Sequence, residues 1–427
     1  MSSLPLKSNR LESLQTALVA NEPDALDQFW REIAAQGTPL FESMPDNSGD
    51  EQMLATFLWH GNQDTQHVLL LSTLLGWPSD LSANKLDHLA DTDVWYRTVL
   101  IRRDVRTTYS FSPNDPLQLP QDHSSFMEWA TGYWHTDPLN RSTFLHPADD
   151  DDPSDRPVRE SIISGPDAAA EPYVAERSHV ARGKVDLERF TSQRLNNTRR
   201  VWIYTPPGYQ ASGEPYPWLL VFDGLPYQSL IPTPTILDNL LTEGKIPPLV
   251  AVLINSEGMS RNVELPCNED FAAMIAEELL PWLQSQLHLA SDPSRNVVAG
   301  SSLGGLAAAW LGYRHPEIFG NVLSQSGSYQ WRQPDDLENG WLFRKYIAAE
   351  TLPLRFYLDA GLLENIDYDG LGTSLLGSNR HFRDVLLAKG YPVTFATFSG
   401  GHDPLWWRQT LADGLIALLG HASDTKN

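Results

Sequence analysis

The spacing of apolar residues changes along this chain, and the change divides it. Over residues 10–36, Leu11, Leu14, Leu18, Leu26, Phe29 and Ile33 recur at near-helical intervals, which predicts a leading helical segment. From Met53 the period shortens. Residues 53–59, 67–71, 93–100 and 107–111 are apolar runs bounded by turn residues and read as strands. Short strands with turn punctuation predict a β-sandwich. Residues 113–147 read as a loop-rich stretch. Residues 149–157 carry four consecutive aspartates with proline and serine, and read as a linker or exposed loop, since like charges repel and proline stiffens. The first unit is therefore expected over residues 1–155 and the second over 172–427.

Past residue 172 the pattern changes again. Residues 183–190 and 198–204 are strand-like and joined around Asn196-Asn197, a hairpin-prone pair. Apolar runs at 217–222, 249–255, 296–299, 321–324, 354–358 and 393–398 then alternate with helical stretches, among them 271–287, 303–313 and 379–389. Strands that are apolar throughout are buried on both faces. This predicts an α/β fold: a mostly parallel sheet with helices on both faces.

Within that alternation, Gly300-Ser301-Ser302-Leu303-Gly304 fits G-x-S-x-G, between an apolar strand and an Ala-rich helix. The motif needs that context, because its serine sits on a strained strand-to-helix turn where large neighbours would collide. Ser302 is the candidate nucleophile of an α/β hydrolase. A serine hydroxyl needs an imidazole to take its proton and a carboxylate to hold that imidazole. Of 12 histidines, His402 alone lies just after the last apolar strand, in Ser399-Gly400-Gly401-His402-Asp403; His315 and His381 sit in or beside helices. The acid should follow the strand at 354–358. Asp359, Glu364, Asp367 and Asp369 are open to it, with Glu364 preferred and Asp367 next, and a Ser–His pair without a strong acid is a further option. Oxyanion donors are expected from the amide of Leu303 and from the loop after an earlier strand, at Gly224 or Leu225, since Pro226 has no N–H.

Composition narrows the functional classes. The net charge of −23 over 427 residues argues against binding nucleic acid or anionic membranes, which require clustered Lys and Arg. The single cysteine, Cys267, excludes an internal disulfide and a thiolate metal cluster, and implies no oxidising compartment. No apolar run reaches the roughly 20 residues of a membrane span, and residues 1–14 lack the apolar core of a signal peptide. A cytoplasmic enzyme is expected. No metal site is predicted, and nothing in the sequence speaks to oligomeric state.

The run at 295–305, RNVVAGSSLGG, resembles the nucleophile turn of the enterochelin (enterobactin) esterases within the esterase D family. Ser324-Gln325-Ser326-Gly327-Ser328-Tyr329 looks like that family's SQSGSY segment, and Arg261-Asn262-Val263-Glu264-Leu265 like its R-x-x-E-L segment. GGHD at 400–403, followed by Trp406-Trp407-Arg408, looks like its C-terminal end, and Asp137-Pro138-Leu139-Asn140 like a D-P-L-N stretch in its N-terminal half. Ser301, often glutamine in relatives, and Pro404 depart from the pattern. The resemblance implies an immunoglobulin-like β-sandwich ahead of the hydrolase, Ser302 and His402 as catalytic, and Glu364 at the family's G-x-x-E position. It implies a ferric catecholate siderophore as substrate, a trilactone of acylated serines that brings its own iron, so no cofactor is expected. Flat anionic catechols call for aromatic walls and cations, and the candidate contacts are Arg261, Trp331, Arg380, Trp406, Trp407 and Arg408. Arg261 pairing with Glu264 as a brace is the competing reading for that residue. The alternative functions are a carboxylesterase of the same family acting on other acyl esters, and a non-catalytic siderophore-binding protein.

Overall fold

The computed structural model describes residues 8–44, 51–76, 80–120, 123–256, 260–365 and 372–420. They form two compact units that divide at residues 169 and 170, with Ser399–Gly401 grouped with the first.

The first unit opens with two helices, α1 (Asn9–Val19) and α2 (Ala25–Gln36). The sequence reads as one helical stretch. Pro23 lacks an amide donor, and Asn21 and Asp24 adopt φ of 54° and 60°, so the chain turns between the helices. Leu11, Leu14, Phe29 and Ile33 pack on Leu40, Leu58 and Val94 of the strands that follow.

Those strands are β1 (Leu40–Ser43), β2 (Gln52–His60), β3 (Val68–Leu71), β4 (Asp87–His88), β5 (Val94–Arg102), β6 (Arg106–Pro113), β7 (Thr143–His146) and β8 (Val158–Ser164). They make a β-sandwich of two antiparallel sheets, ordered β1-β2-β5-β4 and β3-β6-β8-β7. The rings of Phe57 and Tyr109 meet edge to face between the sheets, 4.8 Å apart. The sequence reading holds no counterpart to β1, β4, β7 and β8, strands of two to seven residues. The stretch read as loop holds helix α3 (His123–Tyr133), whose Trp129 is buried and donates its indole N–H to Asp115. The aspartate run is the turn between β7 and β8, the exposed loop among the two options, and the first unit runs on to residue 169, inside the gap left before 172. Its carboxylates accept backbone amides of the same turn: Asp155 from the amide of Asp149, and Asp152 from that of Ser154.

The D-P-L-N segment has a structural role in this unit. Buried Asp137 accepts from the Tyr109 hydroxyl at 2.8 Å and from the amide of Leu139. Asn140 donates to that hydroxyl and to the Ile162 carbonyl. Burial raises the Asp137 carboxyl above its ordinary value.

The second unit is built on β9 (Lys184–Ser192), β10 (Asn197–Thr205), β11 (Trp218–Phe222), β12 (Val250–Ile254), β13 (Val297–Ser301), β14 (Asn321–Gln325), β15 (Arg355–Gly361) and β16 (Val393–Phe398). The sheet order is β16-β15-β14-β13-β11-β12-β10-β9. β11 to β16 run parallel, and the β9–β10 hairpin pairs antiparallel at one edge. Its turn uses Asn196 at φ 50°.

The helices are α4 (Gly224–Ser229), α5 (Thr233–Thr242), α6 (Arg261–Glu264), α7 (Glu269–Met274), α8 (Leu280–Gln284), α9 (Leu303–Arg314), α10 (Trp341–Ala348), α11 (Leu375–Ala388) and α12 (Pro404–Leu419). A wider helical turn at 275–279 joins α7 to α8, where Pro281 removes a donor from the regular ladder. Alternate residues of one strand enter opposite cores. Trp218, Leu220 and Phe222 pack with α7 and α9, while Leu219 and Val221 pack with α5 and α12. That double burial is why these strands read as unbroken apolar runs.

This unit holds a buried ion pair. Arg199 on β10 donates to both carboxylate oxygens of Glu264, at 2.8 and 2.9 Å, and Asn197 donates to the same carboxylate. The pair holds Glu264 below the ordinary carboxylate range in spite of burial. Removing one partner strands the other charge. Glu264→Ala is expected to lose about 3–5 kcal/mol of unfolding free energy, read from the urea midpoint. A loss below ~1 kcal/mol would show that the pair contributes little.

Candidate active site

The loops that follow six parallel strands meet at one edge of the sheet, the carboxyl edge where open α/β sheets bind ligands. Gly224 follows β11, Asn255 follows β12, Ser302 follows β13, Ser326 and Ser328 follow β14, Glu364 follows β15 and His402 follows β16.

Ser302 has φ 57° and ψ −122°, a strained backbone for a residue with a side chain. The strain persists because the strand and helix on either side are packed at contact distance. A Cβ on Gly300 would lie 2.6 Å from the backbone of Gly304, so only glycine fits. The amide of Ser302 donates to the Gln325 carbonyl, and its carbonyl accepts from the amide of Ser328. Its hydroxyl has one partner among the described residues, the Ser328 hydroxyl at 3.3 Å; a Ser302–His402 hydrogen bond is not formed.

Glu364 is fully buried. Its Oε1 lies 2.6 Å from Nδ1 of His402, and its Oε2 accepts the amide of Gly361 at 2.7 Å. The imidazole is partly exposed. Asp367 and Asp369 lie outside the described residues. Asp359 takes no part in this contact: it is buried beneath the edge and accepts the amide of Ser326 at 3.0 Å. Burial, reinforced by the nearby Glu364 charge, pushes its carboxyl up to about 8. His315 pairs with Glu317, and His381 packs on Phe343.

The three expected oxyanion donors separate. The amide of Leu225 donates to Asn255 Oδ1 at 3.2 Å. Among the described residues, the amides of Gly224 and Leu303 have no acceptor. A Cβ on Gly224 would come within 2.8 Å of the Leu253 carbonyl oxygen, so this turn also admits only glycine.

The expected substrate contacts fare differently. Arg261 is neither a free cation nor a partner of Glu264: it forms a bidentate pair with Asp223, both bonds 2.7 Å. Asp223 stands at φ 56° and heads α4, so the pair braces the loop that carries Gly224. Arg408 is held by Glu171 in a second bidentate pair. Trp406 is buried and stacked on Phe398, and Trp407 is buried against His402. Aromatic residues at this spacing on α12 serve the core. Trp331 is half-buried, edge to face with Trp341. Arg380 is exposed on α11, which Asn379 ties to the Gly327 carbonyl. Sequence reasoning gave no role to Ser328 or Asn255. Ser328 was visible only as part of the SQSGSY segment, and nothing marked Asn255.

Among the described residues, no group of three or more His, Cys, Asp or Glu side chains is placed to hold a metal ion, and no helix is long and apolar enough to cross a membrane.

A serine strained at the carboxyl edge of a doubly covered parallel sheet, with a carboxylate-bound histidine following another strand of that edge, is the arrangement of α/β-hydrolase esterases. Comparison with known proteins refines this. Residues 54–174 match the family described as "Enterochelin esterase, N-terminal", and residues 192–418 the family described as "Putative esterase". The chain belongs to the enterochelin esterase family and is a carboxylic ester hydrolase. The iron(III) enterobactin esterase of Dickeya dadantii (strain 3937) is 30% identical over 94% of this chain and 95% of that protein. The iron(III) salmochelin esterase of Escherichia coli O6:H1 is 25% identical over 96% of this chain and 98% of that one. The crystal structure of the enterobactin esterase from Shigella flexneri in the presence of enterobactin has 29% identity and a TM-score of 0.70, covering 92% of this chain and 97% of that one.

The buried Asp359 has a consequence for stability. A carboxyl whose folded pKa, about 8, lies above the ordinary 3.8 keeps its proton in the folded state while the unfolded state ionises. Its contribution is complete below the lower value and is lost as pH rises through the upper one. Asp359→Asn removes that dependence. Its melting temperature relative to wild type should therefore rise between pH 5 and pH 8. A difference that stays constant would place the folded pKa of Asp359 in the ordinary range.

Proposed function

We propose that this esterase hydrolyses the ester bonds of a ferric catecholate siderophore, an enterobactin-like trilactone, with Ser302 as nucleophile, His402 as general base and Glu364 as the acid that orients it. The observation that carries the mechanism is the 2.6 Å contact between Glu364 and His402 Nδ1, on the sheet edge that also bears Ser302. The substrate rests on the similarity to enterobactin and salmochelin esterases across both units.

An ionised carboxylate only accepts, so Nδ1 carries the proton and Nε2 is left as the base. Ser302 Oγ attacks a lactone carbonyl carbon and its proton passes to Nε2. The negative oxygen of the tetrahedral intermediate is met by the amides of Leu303 and Gly224. The ester C–O bond then breaks, and Nε2 returns the proton to the departing seryl oxygen. Water, deprotonated by His402, attacks the acyl-enzyme, releases a carboxylic acid and restores Ser302. In free enzymes the nucleophile–base bond is often long and tightens with substrate. Iron arrives with the siderophore, and opening the trilactone loosens its hold on the metal.

Trp331 and Arg380 are the expected contacts that remain for a flat, anionic catechol, once Arg261, Trp406, Trp407 and Arg408 are engaged within the protein. The reaction belongs inside the cell, where a chain whose single cysteine is buried needs no disulfide.

Ser302→Ala should abolish turnover of ferric enterobactin, followed by mass spectrometry, with the fold unchanged. Wild-type turnover in that variant would remove Ser302 from the mechanism. Glu364→Gln should lower kcat by roughly 10²–10⁴-fold, more than Asp367→Asn does. The opposite ranking would move the acid. Faster hydrolysis of a simple acyl ester than of the ferric trilactone would displace the siderophore as substrate.

A further inference from the structure

We infer that Trp407 is a positioning residue for His402 and that Ser326 anchors it. The inference rests on His402 being the general base, and it concerns what holds that base besides Glu364.

A single hydrogen bond through Nδ1 fixes one atom of an imidazole. It leaves the ring free to rotate about the bond axis, and that rotation carries Nε2 away from the nucleophile. A second contact must fix the ring plane. Trp407 supplies it: its ring lies 4.9 Å from that of His402 at 88°, the edge-to-face geometry aromatic pairs prefer.

The indole is itself immobilised. Trp407 is 7% exposed, and its N–H donates to Ser326 Oγ at 3.1 Å. Its main-chain carbonyl accepts from Gln325 Nε2 at 2.7 Å, and Gln325 Oε1 accepts from the Tyr227 hydroxyl at 2.6 Å. Gln325 and Ser326 are adjacent, fully buried and at the end of β14. Ser326 stands at φ 47°, unusual for a residue with a side chain. Its amide is held by Asp359, at the carboxylate as well as at the main-chain carbonyl at 3.1 Å. This turn aims the Ser326 hydroxyl at the indole. The first half of the SQSGSY segment thereby gains a function: it clamps the tryptophan that clamps the base.

The sequence assigned Trp407 to the substrate, and the two roles differ in kinetics. A positioning residue acts on kcat; a substrate contact acts on KM. The test compares Trp407→Phe, which keeps a ring but loses the N–H, with Ser326→Ala, which loses the acceptor, and with the double variant, all on ferric enterobactin. Each single variant should lower kcat by roughly 10-fold with KM within about twofold, since small misplacement of a catalytic group is enough. The double variant should be no slower than the worse single, because both remove one bond. Trp407→Ala should fall further, by roughly 10²-fold. If it does not fold, as judged by circular dichroism and a thermal melt, Ser326→Ala decides, because it removes one oxygen only. Unchanged kcat in both single variants overturns the inference, as does a raised KM with kcat intact. His402→Ala separates the two levels: its loss of turnover upholds the base assignment whatever the Trp407 variants do, and retained turnover ends that assignment and the inference together.

Discussion

The close approach of backbone to backbone at the end of β13 is the constraint on which the site depends. Gly300 and Gly304 leave no room for a side chain between strand and helix, and Ser302 is forced into a conformation that residues with a Cβ avoid. The strain is held by the sheet, not by the turn. The amide of Ser302 is taken by β14 through Gln325, its carbonyl by Ser328, and α9 packs behind it in the apolar core. A serine set this way cannot relax into the regular ladder of the sheet.

The neighbouring strands supply the rest by the same means. The end of β11 needs Gly224 because β12 lies against it, and Arg261 braces that loop through Asp223. The end of β14 reaches both ways: Gln325 receives Tyr227 from the α4 side and donates to Trp407 and Thr410 on α12. One buried glutamine therefore connects the loop expected to bind the oxyanion with the helix that follows His402. Each partner fills a polar valence that burial would otherwise leave open, which is why such networks are rigid.

Two buried carboxylates at the end of β15 show how environment separates chemically similar groups. Glu364 has an imidazole and an amide for its two oxygens. Asp359, equally buried, shares the field of Glu364, and desolvation together with that field pushes it toward its neutral form. The first is suited to orienting a base. The second is suited to holding an amide without adding another negative charge beside the first. In a chain of net charge −23, a neutral Asp359 adds nothing to the negative field at this edge.

By itself the sequence determined the succession of strands along the second unit, the sandwich ahead of the hydrolase, the serine turn and the histidine after the last strand. These are local: apolar periodicity reports which faces are buried, and G-x-S-x-G reports a turn that tolerates nothing larger. Helix α3 escaped because its pattern is short and its tryptophan is fixed by Asp115, a partner 14 residues away. Only the tertiary structure decided the partners of side chains. Arg261 with Asp223 and Arg408 with Glu171 join residues 38 and 237 positions apart, and Trp407 reaches Ser326 across 81. No spacing rule spans such distances. A charged or aromatic residue near a catalytic motif looks the same in sequence whether it faces a ligand or is already held by the protein, since that depends on which strand ends the fold brings side by side.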